Sequence, residues 1–383
     1  MWLDQPRNPR APLAGLKVLE LARVLAGPWA GQILADLGAD VIKVESPDGD
    51  GTRLWGPPWI ERDGGAREAA YYHGTNRGKR GIVADFRNPD DLARVRALAE
   101  GADVVLENFK TGTLAKFGLD YEVLSEANPG LVYCSITGFG QTGPRAHEAG
   151  YDFVIQGMSG FMALTGEPQG RPIKMGVSIS DLACGLYAVI GIQAALAMRE
   201  RTGPMQGKGQ HVDMALLDCS VGLLASQAMH FLVTGTNPLR MGNEHAQVSA
   251  YGVFPVADGE VVLAPANDGL FRRLLTLLGR EDLLADERFA SNEGRLANRA
   301  DLDALIAGET AKWQKEELLA ECGEAGIPAG PINAIDQVFA DCQVIARGMR
   351  IDLDGIPGVR SPFTFSDAEL ALDHPSPRKG EHG

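Results

Sequence analysis

The segment Met175–Glu200, MGVSISDLACGLYAVIGIQAALAMRE, holds one acid, Asp181, ahead of an apolar, small-residue run that meets no further charge until Arg199. An aspartate in that setting has two readings. It can cap a helix, because its carboxylate accepts amide hydrogen bonds and suits the positive end of the helix dipole. It can also be a covalent nucleophile, provided it stays ionised, which a helix terminus favours. The two are compatible, and the small residues Ala183 and Gly185 would let a bulky substrate approach. Asp152 could form a carboxylate pair with Asp181, but the spacing alone does not bring them together.

Other residues suit an anionic ligand. RVLAGP (23–28) and SITGFGQTGP (135–144) could hold phosphate through backbone amides, or be plain turns. Neither is a Walker loop. TNRGKRGIVADFR offers Arg77, Lys79, Arg80 and Arg87, and ENFKTGTLAKFG adds Lys110 and Lys116. Such clustering suits a polyphosphate or a solvated charged face. Metal and hydrolase chemistry find little support. The histidines show no HExxH spacing, there is no GxSxG elbow, and the five cysteines lack CxxC spacing. Reduced thiols in a cytoplasmic protein are the expectation.

The elements that must position these residues follow from the hydrophobic pattern. Leu16–Leu21 and Ala39–Val44 are predicted strands flanking a helix over Trp29–Leu37, with AGP as the break before it. Further strands fall in RGIVADF, ADVVLENF and LVYCSITGFG, with a helix at Asp90–Glu100. The alternation predicts an open, Rossmann-like α/β parallel sheet with right-handed crossovers, whose ligands sit beyond the carboxyl ends of the strands. RVLAGP, ENFKTG and SITGFGQTGP are the loops at those ends. A large domain is expected over 1–215, a linker helix over 216–244, a smaller α+β domain over 245–325, and a return to the large domain over 326–383. In the smaller domain a hairpin should turn at Asp258-Gly259, followed by helices at Asp268–Leu278 and Arg299–Cys322.

With 383 residues there is ample chain for this core. The formal charge of −14 argues against general nucleic-acid binding. The N-terminus has no apolar signal core, and Leu182–Met198, rich in Gly and Ala without aromatic belts, reads as a buried helix rather than a membrane span.

Taken together, the ordered strings GPWAGQILADLGADVIKVE, NRGKR, DVVLENF, FGLDYEVL, SITGFGQTGP, AGYD, LTGEP, GVSISDLACGLYAVIGIQAAL and GIPAGPIN resemble the family III CoA transferases, the formyl-CoA/carnitinyl-CoA transferase group. The likeness covers about 350 residues, from PLAGLKVLELARVLAGP to SPFTFS. It implies that Asp181 is the nucleophile. It implies CoA contacts at Leu25 and Ala26, at Ala84 and Arg87, at Asn108, Phe109 and Lys110, at Lys116 and at Thr137. It further implies a ring-like subunit interlocked with a second copy as a homodimer. The chain departs from the family pattern at Ser46, in a CoA loop, and in the longer turn RTGPMQGKGQ.

The implied reaction transfers CoA from an acyl-CoA to a carboxylic acid. Asp181 attacks the thioester carbonyl, giving a mixed anhydride and CoA thiolate; the thiolate then attacks the Asp181 carbonyl, giving an aspartyl-CoA thioester and the free donor acid. The acceptor acid reverses the sequence. The CoA thioester is the substrate, and no permanently bound cofactor or metal is needed. GTRLWGPPW and the stretch around Tyr151 look most like members that use succinyl-CoA and short dicarboxylates such as glutarate. Arg53 is a candidate for the distal carboxylate, or a structural salt bridge, and Tyr151 for the substrate side. Two rivals share the fold or the ligand. A 2-methylacyl-CoA racemase has Gly-His-Asp where this chain has Gly150-Tyr151-Asp152, and Tyr is a poor proton carrier near neutral pH. A non-catalytic acyl-CoA-binding protein would have no need of Asp181.

Overall fold

The computed structural model describes residues 2–62 and 67–383. Six strands form one sheet: β1 (Lys17–Glu20), β2 (Asp40–Glu45), β3 (Arg80–Val83), β4 (Val104–Glu107), β5 (Val132–Thr137) and β6 (His211–Ala215). They are all parallel, in the spatial order 3-2-1-4-5-6. This is the doubly wound nucleotide-binding order, and its switch point lies between β1 and β4.

Strand periodicity explains the long apolar runs. Val18, Val41 and Val104 point to one face, against α1 (Ala26–Asp36) and a long helix described below. Their chain neighbours Leu19, Ile42 and Val105 point to the other, against Val95 and Leu98 of α2 (Pro89–Glu100). A sheet buried on both faces has no polar side to alternate with.

Helix α1 begins at Ala26, inside the AGP stretch expected to break it. Pro28 is accommodated because its missing N–H falls in the first turn, where no intrahelical partner exists. After β5 the chain forms α3 (Asp152–Met158), α4 (Ile179–Glu200), α5 (Leu216–Gly222) and α6 (Ala225–Thr234). Helix α4 is long and apolar enough to cross a membrane, yet Cys184, Ala188 and Ile192 pack it into the core over the sheet. Gly185 is where α4 meets α1: a Cβ there would stand 2.7 Å from the Ala26 carbonyl oxygen and 3.0 Å from Trp29. A similar approach joins Gly138, after β5, to Gly150, just before α3, where a Cβ on either would lie 2.6 Å from the other's Cα.

The chain divides into two compact units. One comprises Met1–Met162, Lys174–Asn237 and Gln343–Gly383, the other Ala163–Ile173 and Pro238–Cys342. The second unit therefore runs past the expected boundary at 325. The reason is β9 (Ala329–Pro331), which pairs with β8 (Gly259–Leu263), itself antiparallel to β7 (Gly252–Val256). The segment 163–173 belongs here as well, because Arg240 donates to the Glu167 and Gly170 carbonyls at 3.0 and 2.7 Å. The hairpin turns through Ala257 and Asp258, one residue earlier than expected. The expected Arg299–Cys322 helix is two helices, α8 (Arg299–Thr310) and α9 (Lys315–Glu324), after α7 (Asp268–Leu277). The break docks on the hairpin: Asp258 accepts from the Lys315 amide at 2.8 Å, and Ala257 N–H donates to the Trp313 carbonyl at 2.9 Å.

Candidate active site

The carboxyl ends of β1, β4 and β5 open onto one cleft of about 180 Å³. Its walls include Leu25 and Ala26 from the β1–α1 loop, Asn108, Phe109 and Lys110 after β4, Thr137 at the end of β5, and Tyr151 before α3, with Asp181 in the same cleft. Asn108 spans the switch point. It accepts from the Arg23 amide at 2.9 Å and donates to the Arg23 carbonyl at 2.6 Å, so the loops of β1 and β4 move as one.

Asp181 is not the cap of its helix. Ser178 holds that position, with no side-chain capping bond, and Asp181 sits in the first turn of α4. The capping oxygen comes from elsewhere. Asp152, at the start of α3 and 9% exposed, accepts through Oδ1 from the amides of Ser180 at 2.8 Å and Asp181 at 3.4 Å. Its Oδ2 accepts from Gln156 at 2.7 Å. Ser180 Oγ in turn lies 3.0 Å from Ser220 Oγ on α5. Burial first, and the nearby Asp152 second, push the Asp181 carboxyl up to about 7. The expectation that the helix terminus keeps Asp181 ionised is thus corrected. Desolvation and a like charge outweigh the dipole.

The β1–α1 loop is held from below by buried charge. Lys43 contacts Glu20 and Asp50, each at 3.1 Å, and donates to the Ala22 carbonyl at 2.8 Å. Lys79 contacts Glu20 at 2.7 Å and donates to the Pro28 carbonyl at 2.8 Å. Burial, and secondarily the neighbouring Lys43, push the Lys79 ammonium down to about 7, against the pull of Glu20. Between these anchors Val24 adopts φ +70°, a conformation L-residues rarely take, and its amide faces Asp50 Oδ2 at 3.3 Å.

Four of the expected contacts lie outside the cleft. Ala84 is buried in the core, and its amide donates to the Glu45 carbonyl at 2.9 Å. Arg87 is exposed and paired with Asp85 at 2.9 Å. Lys116 is exposed on the 3-10 turn Leu114–Phe117. Arg53 is buried, with its guanidinium engaged by Glu45 at 2.6 Å, by Glu68, by the Tyr72 hydroxyl and by the Pro377 carbonyl. That geometry is the salt-bridge alternative for Arg53, so it is not carried forward as a substrate contact. The polyphosphate reading of NRGKR is corrected in the same way: Arg77 binds Asp36 at 2.5 Å, and both Arg77 and Lys79 are buried. The cleft also has walls that the sequence did not suggest, among them Arg23 and Glu148. Tyr71, outside the lining, is near enough to feel Asp181: its phenol is raised by burial and then by Asp181.

A family model described as CoA-transferase family III matches residues 13–383. The chain belongs to that family. It is 55% identical over 386 residues to the succinate–glutarate CoA-transferase of Agrobacterium fabrum, covering 99% of this chain and 95% of the relative. It is 37% identical over 393 residues to the human succinyl-CoA:glutarate CoA-transferase, covering 100% and 87%. A solved CaiB/BaiF family protein from Brucella suis superposes with a TM-score of 0.88 at 58% identity, covering 98% of each chain. This family III member is thus an enzyme of the CoA-transferring class, acting on CoA thioesters and carboxylates.

Proposed function

We propose that this transferase moves CoA between succinyl-CoA, or another short dicarboxylyl-CoA, and a second short dicarboxylic acid such as glutarate, with Asp181 as the nucleophile. The observation that carries the reading is Asp181 in the switch-point cleft, beside the loops that would hold CoA. The relatives named for succinate and glutarate support the choice of acids. Leu25, Ala26, Asn108, Phe109, Lys110 and Thr137 line the cleft with Asp181 and suit the CoA thioester; Tyr151 lines the same cleft, and we assign it to the acid. Attack passes through the aspartyl anhydride and aspartyl-CoA thioester. Both hydrolyse readily, so water must be excluded.

The cleft is smaller than the 300–1,000 Å³ usual for ligand pockets, which favours a site completed by further cover. An apolar face is available for it. Leu186, Tyr187 and Ile190 on α4 are 40–60% exposed, and Leu232 and Val233 on α6 are 73 and 75% exposed. Exposure on that scale suits an interface. We assign it to a second copy, in the interlocked homodimer. Sedimentation at nanomolar concentration should find no folded monomer, and a native monomer there would contradict the interlock. The five free cysteines, four of them buried, suit a cytoplasmic setting.

The reaction is tested by incubating the enzyme with succinyl-CoA and a panel of acids and identifying the thioesters by mass spectrometry. Glutaryl-CoA should form without ATP or metal. Racemisation of a chiral 2-methylacyl-CoA with no exchange would overturn the transferase assignment to Asp181. The pH dependence should carry the same signature. Asp181 attacks only when ionised, and its carboxyl lies near 7. The ratio kcat/KM should therefore fall about tenfold per pH unit below 7. An acid limb near pH 4, the ordinary carboxylate range, would contradict it.

A further inference from the structure

A carboxylate 29 residues upstream of Asp181 takes two amides at the head of α4, where the cap residue Ser178 makes no side-chain bond. Asp152 is buried, and three donors converge on it: two amides of α4 on one oxygen and the Gln156 amide on the other. Gln156 cannot turn over freely. Its Nε2 is committed to Asp152, and its Oε1 accepts from the Met175 amide at 2.9 Å. The strap running from Met175 into α4, the start of α4 and the start of α3 are thus tied through one charge. Gly138 against Gly150 fixes the far side, because no side chain separates the β5 loop from the residue two before Asp152.

We propose that Asp152 is a positioning residue for Asp181: it clamps the first turn of α4 in place of a local cap and sets a second negative charge beside the attacking carboxyl. The proposal rests on the reading of Asp181 as nucleophile. Two consequences follow from the one contact. The backbone that carries Asp181 is held to α3, so the carboxyl meets the thioester at a fixed height. The like charge makes ionised Asp181 costlier and so more reactive once formed, and it favours the anhydride, in which that charge is gone. Among the other charged or titratable groups around Asp181 are Tyr71, and Cys184 on its own helix, the latter hydrogen-bonded with Cys219 on α5, with Arg23, Lys110, Glu148 and Tyr151 along the cleft. Burial and Asp152 are what raise its carboxyl.

Asp152→Asn removes the charge but turns a donor toward Gln156 Nε2. Pairing it with Gln156→Glu supplies an acceptor both for the amide group introduced at position 152 and for the Met175 backbone amide. The single variant should move the acid limb of kcat/KM to lower pH by about half a unit or more and lower kcat at least tenfold, with KM for succinyl-CoA within about twofold. The double variant should regain most of the lost kcat. A 13C NMR titration of the Asp181 carboxyl, assigned by its loss in Asp181→Asn, should shift the same way in Asp152→Asn. An unmoved titration, or a double variant that matches wild type in circular dichroism and Tm yet regains no kcat, overturns the role of Asp152. A shifted titration beside an active Asp181→Asn enzyme instead overturns only the nucleophile reading, and the two failures are distinguishable.

Discussion

Asp181→Asn should leave a folded protein that binds acyl-CoA and transfers nothing, with turnover lower by about four or more orders of magnitude. An amide cannot form the anhydride, and the neighbouring carboxylate, Asp152, is occupied by three hydrogen bonds of its own. Because Asp181 is not the cap, the substitution removes no capping bond. It should stabilise the protein instead, and only at high pH. Folding raises this carboxyl from its ordinary 3.8 to about 7. Its favourable contribution is intact below about 3.8 and fades as the pH climbs toward 7, because the fold must then carry a buried charge beside another. A shift of about three units corresponds to an upper bound on the order of 4 kcal/mol, before any relaxation or solvent entry. The variant should therefore melt higher than wild type at pH 8 and together with it at pH 4. Hydroxylamine added after acyl-CoA should label Asp181 in the wild type. An active variant, a label on another acid, or a melting difference indifferent to pH would each count against the assignment.

Glu20→Ala should be the costliest single change below the site, at about 3–5 kcal/mol. Glu20 is the shared counter-charge of Lys43 and Lys79, and all three side chains are fully buried. Removing it leaves Lys43 with Asp50 alone and takes from Lys79 the carboxylate that opposes its desolvation, so the Lys79 amine is driven further down and the buried ion network is broken. The β1–α1 loop hangs from those same lysines through the carbonyls of Ala22 and Pro28, so KM for acyl-CoA should rise along with the loss of stability. Adding Lys79→Met should recover part of the stability, since the buried amine that has lost its carboxylate is then gone. A loss under about 1 kcal/mol in urea unfolding would show that water or rearrangement satisfies the lysines.

The sheet was legible because a strand–helix–strand repeat with apolar strands has few other solutions, and the loops at its carboxyl ends follow from that topology. The resemblance names residues that spacing could not: Leu25, Ala26, Asn108, Phe109, Lys110 and Thr137 line the cleft with Asp181, whereas Ala84, Arg87 and Lys116 do not. The failures share one cause: a sequence shows what charge a residue has and leaves its partner hidden. NRGKR looks like a grip for phosphate, but Lys79 meets Glu20, 59 positions away, and Arg77 meets Asp36. Arg53 looks like a fork for a carboxylate, and it is one, for Glu45 and Glu68. Asp181 looks like a cap because a local cap is common, whereas the cap oxygen arrives from Asp152. Nor could any pattern announce the positive φ of Val24, a non-glycine residue held over by the charges beneath it.

The contact at Gly185 brings the backbone of α1 against α4 with nothing but a hydrogen between. The loop that opens α1 and the turn that carries Asp181 are thereby two jaws of a fixed gauge. On the proposed reading, the distance from the CoA grip to the attacking oxygen is part of the frame and does not wait for a substrate to set it. On the same reading the acid meets the residues around Tyr151, which are no part of that gauge. A scaffold built this way can change its choice of acid by altering residues around Tyr151 without recalibrating the chemistry, while even a single methyl group added at position 185 would spoil the measure for every substrate alike.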